Sequence, residues 1–65
     1  MSRPLDTEKR ERIIESAIDE FGRRGFAQTT IREIAEHAGI SQGGLYTYFA
    51  DKEELFLASV RWGWK

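Results

Sequence analysis

From Gln42 to Tyr48 the chain reads QGGLYTY, a carboxamide, a hydroxyl and two phenols around a pair of glycines. These are groups for hydrogen-bonded recognition. The Gln42 amide presents a donor beside an acceptor, a pattern that pairs bidentately with adenine. Thr47 can meet a base edge or a thymine methyl. Tyr46 and Tyr48 carry hydroxyls suited to phosphate oxygens, and Gly43 and Gly44 leave room for close approach of the backbone. Catalytic chemistry finds no such support. Nothing supplies a nucleophile with a base, a carboxylate pair in a cleft or a metal-ligand cluster. The one histidine, His37, is expected to face solvent, and the absence of cysteine excludes disulfides and thiolate metal sites. No enzyme activity, cofactor or metal is therefore expected.

The elements that position these groups lie between Thr29 and Phe49. Thr30 followed by Glu33 forms a capping box at the start of a helix. Ile31, Ile34, Ala35 and Ala38 then recur at helical spacing as one apolar face. Gly39 stands where a helix needs a left-handed residue to stop. Ile40 can turn back into the core, and Ser41 suits the N-cap of the next helix. Two helices joined by a short glycine turn make a helix-turn-helix. At about 100° per residue, Leu45 and Phe49 of the second helix, about residues 41–49, share an inward face. Gly43, Gly44 and Thr47 lie opposite, with Tyr46 and Tyr48 to either side. A nearly bare helix face flanked by hydroxyls fits a groove floor between two phosphate rows. The competing reading is a loop-like segment in which the glycines only make turns.

The chain has 65 residues, enough for one small all-α domain. A chain of that size buries only about 60% of its unfolded surface, so three or four helices must pack well. A first helix is expected from about residue 7 to about residue 24. Asp6 and Thr7 are its candidate caps, and Ile13, Ile14, Ala17, Ile18 and Phe21 form its stripe. Residues 1–6 read as a flexible arm containing Arg3. Asp19 and Glu20 lie off the stripe and read as solvated. Arg23 and Arg24 suit the helix C-terminus, Gly25 stops the helix, and Phe26 enters the core. A last helix begins at Asp51, an N-cap with Glu54 as its partner. Lys52 in its first turn is unfavourable for the helix dipole, which suggests a phosphate, although an exposed lysine would also fit. Leu55, Phe56, Ser59 and Trp62 can close the core. Leu57, Val60 and Trp64 form a second stripe that these residues leave uncovered. The formal net charge of −1 argues mildly against nucleic acid, so the placement of charges matters more than their sum. No run is apolar enough to span a bilayer, and the N-terminus lacks a signal-peptide core. A cytoplasmic location is expected.

The stretch TTIREIAEHAGISQGGLYTYFADKEELF resembles the N-terminal DNA-binding region of the tetracycline-repressor (TetR) family of bacterial regulators. The shared pattern is a T-T pair, I-A, A-G-I-S, G-x-L-Y-x-Y-F and K-E-x-L, with Ala17, Phe21 and Gly25 upstream. It covers about residues 10–60. The resemblance implies a three-helix helix-turn-helix bundle over residues 7–65, plus the start of a fourth, linking helix. It implies sequence-specific binding of double-stranded DNA by a transcriptional regulator, most often a repressor. Base contacts then fall to Gln42, Thr47 and Arg32, the last a candidate for guanine that an ion pair with Glu33 or Glu36 would equally occupy. Backbone contacts fall to Thr29, Thr30, Tyr46, Tyr48 and Lys52. The glycine pair departs from the commoner family form, in which the second position is often threonine or serine. One hydroxyl contact is thereby lost, and the recognition helix weakened. The family also implies a C-terminal domain, outside these 65 residues, that binds a small-molecule inducer and forms the homodimer on a palindromic operator. The fragment alone is expected to be monomeric. The alternative is a helical protein-interaction module that uses the Leu57 and Trp64 stripe.

Overall fold

The structure is a computed structural model that describes residues 5–63, with side chains over residues 7–62. Four helices follow in order and, among the described residues, there is no strand: α1 (Leu5–Arg24), α2 (Ile31–Ala38), α3 (Gln42–Tyr46) and α4 (Lys52–Gly63). Residues 1–4 of the expected arm, and Trp64 of the expected second stripe, lie outside the described residues. Helix α1 begins at Leu5, so Asp6 and Thr7 sit in its first turn rather than capping it.

The apolar stripe of α1 is the spine of the core. Ile13, Ile14, Ala17 and Phe21 are buried against Ile31, Ile34, Ala35 and Ala38 of α2, Leu45 and Phe49 of the recognition segment, and Leu55 of α4. Both α2 and α4 pack on α1, and α3 is held mainly by α2. Three phenylalanines close the end of the core. Phe26 stacks on Phe21 with ring centroids 5.7 Å apart, and Phe56 meets both edge-on at 5.3 and 5.2 Å. Such pairs add about 0.5–1.5 kcal/mol each beyond simple burial, a useful supplement in so small a domain.

The helix ends follow the expected chemistry. Gly25 (φ 85°) ends α1, its N–H donating to Phe21 O at 2.8 Å. Gly39 (φ 78°) ends α2 in the left-handed region, where a side chain would be strained. Thr30 and Glu33 form the full capping box at the start of α2. At the start of α4, the Asp51 carboxylate accepts from Glu54 N–H at 2.8 Å. The Glu54 carboxylate reaches one residue further back than a capping box requires, to Ala50 N–H at 2.5 Å. No helix among the described residues is long and apolar enough to cross a membrane.

Candidate nucleic-acid interface

Helix α3 is shorter than the expected 41–49. It holds five residues, Gln42–Tyr46, and then tightens. Thr47 N–H is shared between Gly43 O and Gly44 O, Tyr48 N–H turns to Leu45 O at 2.9 Å, and Phe49 N–H reaches the same carbonyl at 3.1 Å. Two glycines give the helix little propensity of its own, so it persists only while packing holds it. Leu45 and Phe49 supply that hold, at 0% and 2% exposure. Ser41 caps the N-terminus by accepting from Gly44 N–H at 3.0 Å.

With Leu45 and Phe49 turned inward, Gln42, Gly43, Tyr46 and Thr47 are left on the surface. A Cβ at Gly43 would meet nothing within 4 Å, so this glycine is bare on the outer face. Gly44 differs from the expectation that paired them. It is half-buried, and a Cβ there would press on the capping Ser41 Oγ at 3.2 Å. Its smallness clears the N-cap instead of opening the outer face. Thr47 returns its hydroxyl proton to Gly43 O at 3.1 Å, which leaves its oxygen able to accept. Tyr48 is half-buried beside Arg10, Ile14 and Phe49.

The threonine pair divides its work. Thr29 is fully buried, its hydroxyl donating to Gly25 O at 2.8 Å and to Glu20 O at 3.2 Å. That side chain cannot reach a phosphate, which corrects the expectation placed on it. It locks the α1–α2 turn. Thr30 is exposed. Its oxygen accepts from Glu33 N–H at 3.1 Å, and its hydroxyl proton remains able to donate to solvent or a ligand. Glu33 accepts from Thr30 N–H, and that hydrogen bond holds its carboxyl below the ordinary value. The Arg24 charge adds to the effect and partial burial opposes it. Arg32 pairs loosely with Glu36 (Nε–Oε2 3.6 Å), with both side chains well exposed. Such surface pairs contribute little, so Arg32 can exchange Glu36 for another partner.

Lys52 has a reason to sit where the helix dipole disfavours it. Its Nζ donates to Phe26 O at 2.8 Å and Thr29 O at 2.9 Å, and lies 4.3 Å from the Phe26 ring centroid. It therefore bolts α4 to the turn before α2. An ammonium has three N–H donors, and one remains after these two bonds.

The largest departure from expectation lies behind this face. Glu20 is buried at 5% exposure, and His37, which stays exposed as expected, pairs with it through Nδ1. The His37 Nδ1–H donates to Glu20 Oε2 at 2.8 Å, and Arg23 donates to the same oxygen at 2.9 Å. Arg24 Nε stands 3.3 Å from Glu20 Oε1 and also pairs with Glu33. The His37 bond, more than the arginine charges, holds the Glu20 carboxyl below its ordinary value, while burial pushes the other way. This cluster fastens the end of α1 to both ends of α2. Arginines three and four residues after Glu20 were a legible signal for an ion pair; its histidine partner, 17 positions away, left none. Asp19 stays exposed, 3.6 Å from His37.

Two helices across a glycine turn, braced by α1 and presenting a bare outer face, have a counterpart among known proteins. The sequence profile of the bacterial regulatory proteins of the tetR family matches residues 13–59. The chain belongs to that family. Similar proteins include the uncharacterised HTH-type transcriptional regulator YerO of Bacillus subtilis, 49% identical over 55 residues, covering 85% of this chain and 19% of YerO. HTH-type transcriptional regulator TtgR of Pseudomonas putida is 47% identical over 51 residues, covering 78% of this chain and 24% of TtgR. A crystal structure described as a TetR-family transcriptional regulator of Mesorhizobium loti superposes with a TM-score of 0.88 at 36% identity, covering 89% of this chain and 29% of that one. The chain thus spans about a fifth to a quarter of the length of these curated relatives.

Proposed function

We propose that this TetR-family domain binds double-stranded DNA by laying α3 in the major groove. The observation that carries the reading is the division of α3 and the turn after it into a buried edge, Leu45 with Phe49, and an outer face where Gln42 and Thr47 flank the open position of Gly43. Gln42 and Thr47 read bases and Arg32 reaches toward guanine. The Thr30 hydroxyl, Tyr46, Tyr48 and the remaining Lys52 N–H serve the phosphates. In the longer protein the domain acts in the bacterial cytoplasm as a transcriptional repressor. A C-terminal domain supplies the homodimer and takes a small-molecule inducer. Two copies about a two-fold axis would then read half-sites about 34–36 Å apart on a palindromic operator.

The test is amide chemical-shift mapping with a mixed-sequence DNA duplex at low and then moderate salt. Shifts centred on Thr30–Arg32 and Gln42–Thr47 that shrink as salt rises are expected. Shifts confined to the region of Leu57 and Val60, growing with protein concentration alone, would overturn the reading. Leu57 is 61% exposed, but family membership does not favour a protein-interaction module as the primary role.

A further inference from the structure

We propose that Arg10, on the flank of α1, forms with Tyr48 a further binding station for a DNA backbone phosphate. The inference rests on the DNA-binding reading above. The Arg10 guanidinium carbon lies 5.2 Å from the ring centroid of Phe49, the buried residue that closes the recognition segment. Arg10 is itself exposed. Together with Tyr48 it borders an open depression of about 470 Å³ floored by Ile14 and Phe49. Arg61 stands on the same rim. The single carboxylate in the lining, Glu54, already accepts from Ala50 N–H. In a chain of net charge −1, this rim gathers two guanidiniums beside a phenol at the end of the reading element.

The physical case is one of preorganisation. A cation within about 6 Å of an aromatic face is restrained by it, and its N–H groups are still able to bond outward. A planar fork matches two phosphate oxygens, and charge-assisted bonds of this kind are the strong ones. Tyr48 directly follows Thr47, the C-cap of α3. A strand whose bases lie against Gln42 and Thr47 therefore brings its backbone past Tyr48 and onto Arg10. Tyr48 is tied to α3 through the turn bond to Leu45 O at 2.9 Å. The phenol, from the turn after α3, and the guanidinium, from α1, then approach one phosphate from two sides.

The experiment measures affinity for a mixed-sequence duplex across a salt series, for the wild-type chain and for Arg10→Met, which keeps the aliphatic stem over Phe49. Each phosphate neutralised contributes about 0.9 to the slope of log affinity against log salt. Arg10→Met should lower the slope by about that amount, and Tyr48→Phe should weaken affinity with the slope unchanged. Combining the two should cost less than the sum, as expected for groups on one phosphate. A parallel measurement needs no variant: the Arg10 Nε–H resonance should shift on adding duplex and return as salt rises. An unchanged Arg10→Met slope, or an unmoved Arg10 resonance with duplex bound, overturns the station while leaving DNA binding intact. A wild-type chain with no salt-dependent affinity overturns the DNA reading itself.

Discussion

Replacing Lys52 with methionine separates two roles for this side chain. As a phosphate ligand alone, Lys52 would cost DNA affinity and leave stability unchanged. The structure gives it internal work as well, with bonds of 2.8 and 2.9 Å to the Phe26 and Thr29 carbonyls and a position 4.3 Å from the Phe26 ring. Hydrogen bonds to a charged group contribute about 1.5–3 kcal/mol each. Lys52 is half-buried, so the lower end of that range applies to each. Lys52→Met keeps an apolar chain against Phe26 but removes both donors and a cation–π contact of about 0.5–1 kcal/mol. These add to a gross loss of about 3.5–4 kcal/mol, and because the freed carbonyls regain water in part, a net loss of about 2–3 kcal/mol follows. Stability runs at roughly 0.05–0.15 kcal/mol per residue, so this is a large share of what so short a chain has. The expected fall in melting temperature is about 10–20 °C, at about 4–8 °C per kcal/mol in domains of this size. Urea unfolding followed by helical circular dichroism measures the loss of free energy directly, with amide shifts at Phe26–Thr30 as the local readout. A midpoint change worth less than about 0.5 kcal/mol, within the range of ordinary surface substitutions, would refute the bolt and return Lys52 to a purely external role.

Two further outcomes follow from the same geometry. The Glu20 carboxyl is held below the ordinary glutamate value of about 4.3, first by the His37 hydrogen bond and then by the Arg23 and Arg24 charges. A depressed carboxyl stabilises the fold above its unfolded value, and that contribution is lost as pH falls through the folded value. Urea midpoints should therefore drop below about pH 4.3, and Glu20→Gln should flatten that acid limb. A residual slope is expected from Glu33, which is shifted the same way; an unaltered limb in the variant would count against the cluster. Gly43→Ala should raise stability by up to about 1 kcal/mol, because the new Cβ meets open space within a helix that glycine disfavours. The same methyl occupies the outer face, so affinity for a mixed-sequence duplex should fall while the melting temperature rises. A variant that gains both, or loses stability, contradicts the assigned exposure of that position.

The helices and the core were legible because their signals are local. The capping box at Thr30 and Glu33, the glycine stop at Gly39 and the stripe of Ile13, Ile14, Ala17 and Phe21 each occupy a few neighbouring positions, and each appears where periodicity placed it. The differences arise where the path of the chain, and not periodicity, sets a side chain's surroundings. Glu20 reads as a solvated carboxylate until the packing of α2 on α1 buries it and brings it within 2.8 Å of His37, which itself stays exposed. Thr29 reads like Thr30, yet one hydroxyl faces the carbonyls of α1 and the other faces out. Which of two adjacent threonines turns inward depends on the path of the chain between Gly25 and Ile31. Wheel geometry could not separate Gly43 from Gly44 either, since the difference is made by the Ser41 cap.

Helix α3 shows why a site of this kind can be both weakly self-supporting and well placed. Five residues are far below the length at which an isolated helix persists in water, about 12–15. Its position is imposed from one side, by Leu45 and Phe49 in the core and by the turn that follows Gly39. Structural duty is therefore concentrated on the inner edge. Gln42, on the outer side, carries neither cap nor core contact among the described residues, and Gly43 faces open space. Substitutions there change what the surface can recognise at little cost to the fold, whereas substitutions at Ser41, Leu45 or Phe49 would displace the whole reading element. Specificity and stability are thus held by different residues of one five-residue helix and its flanks.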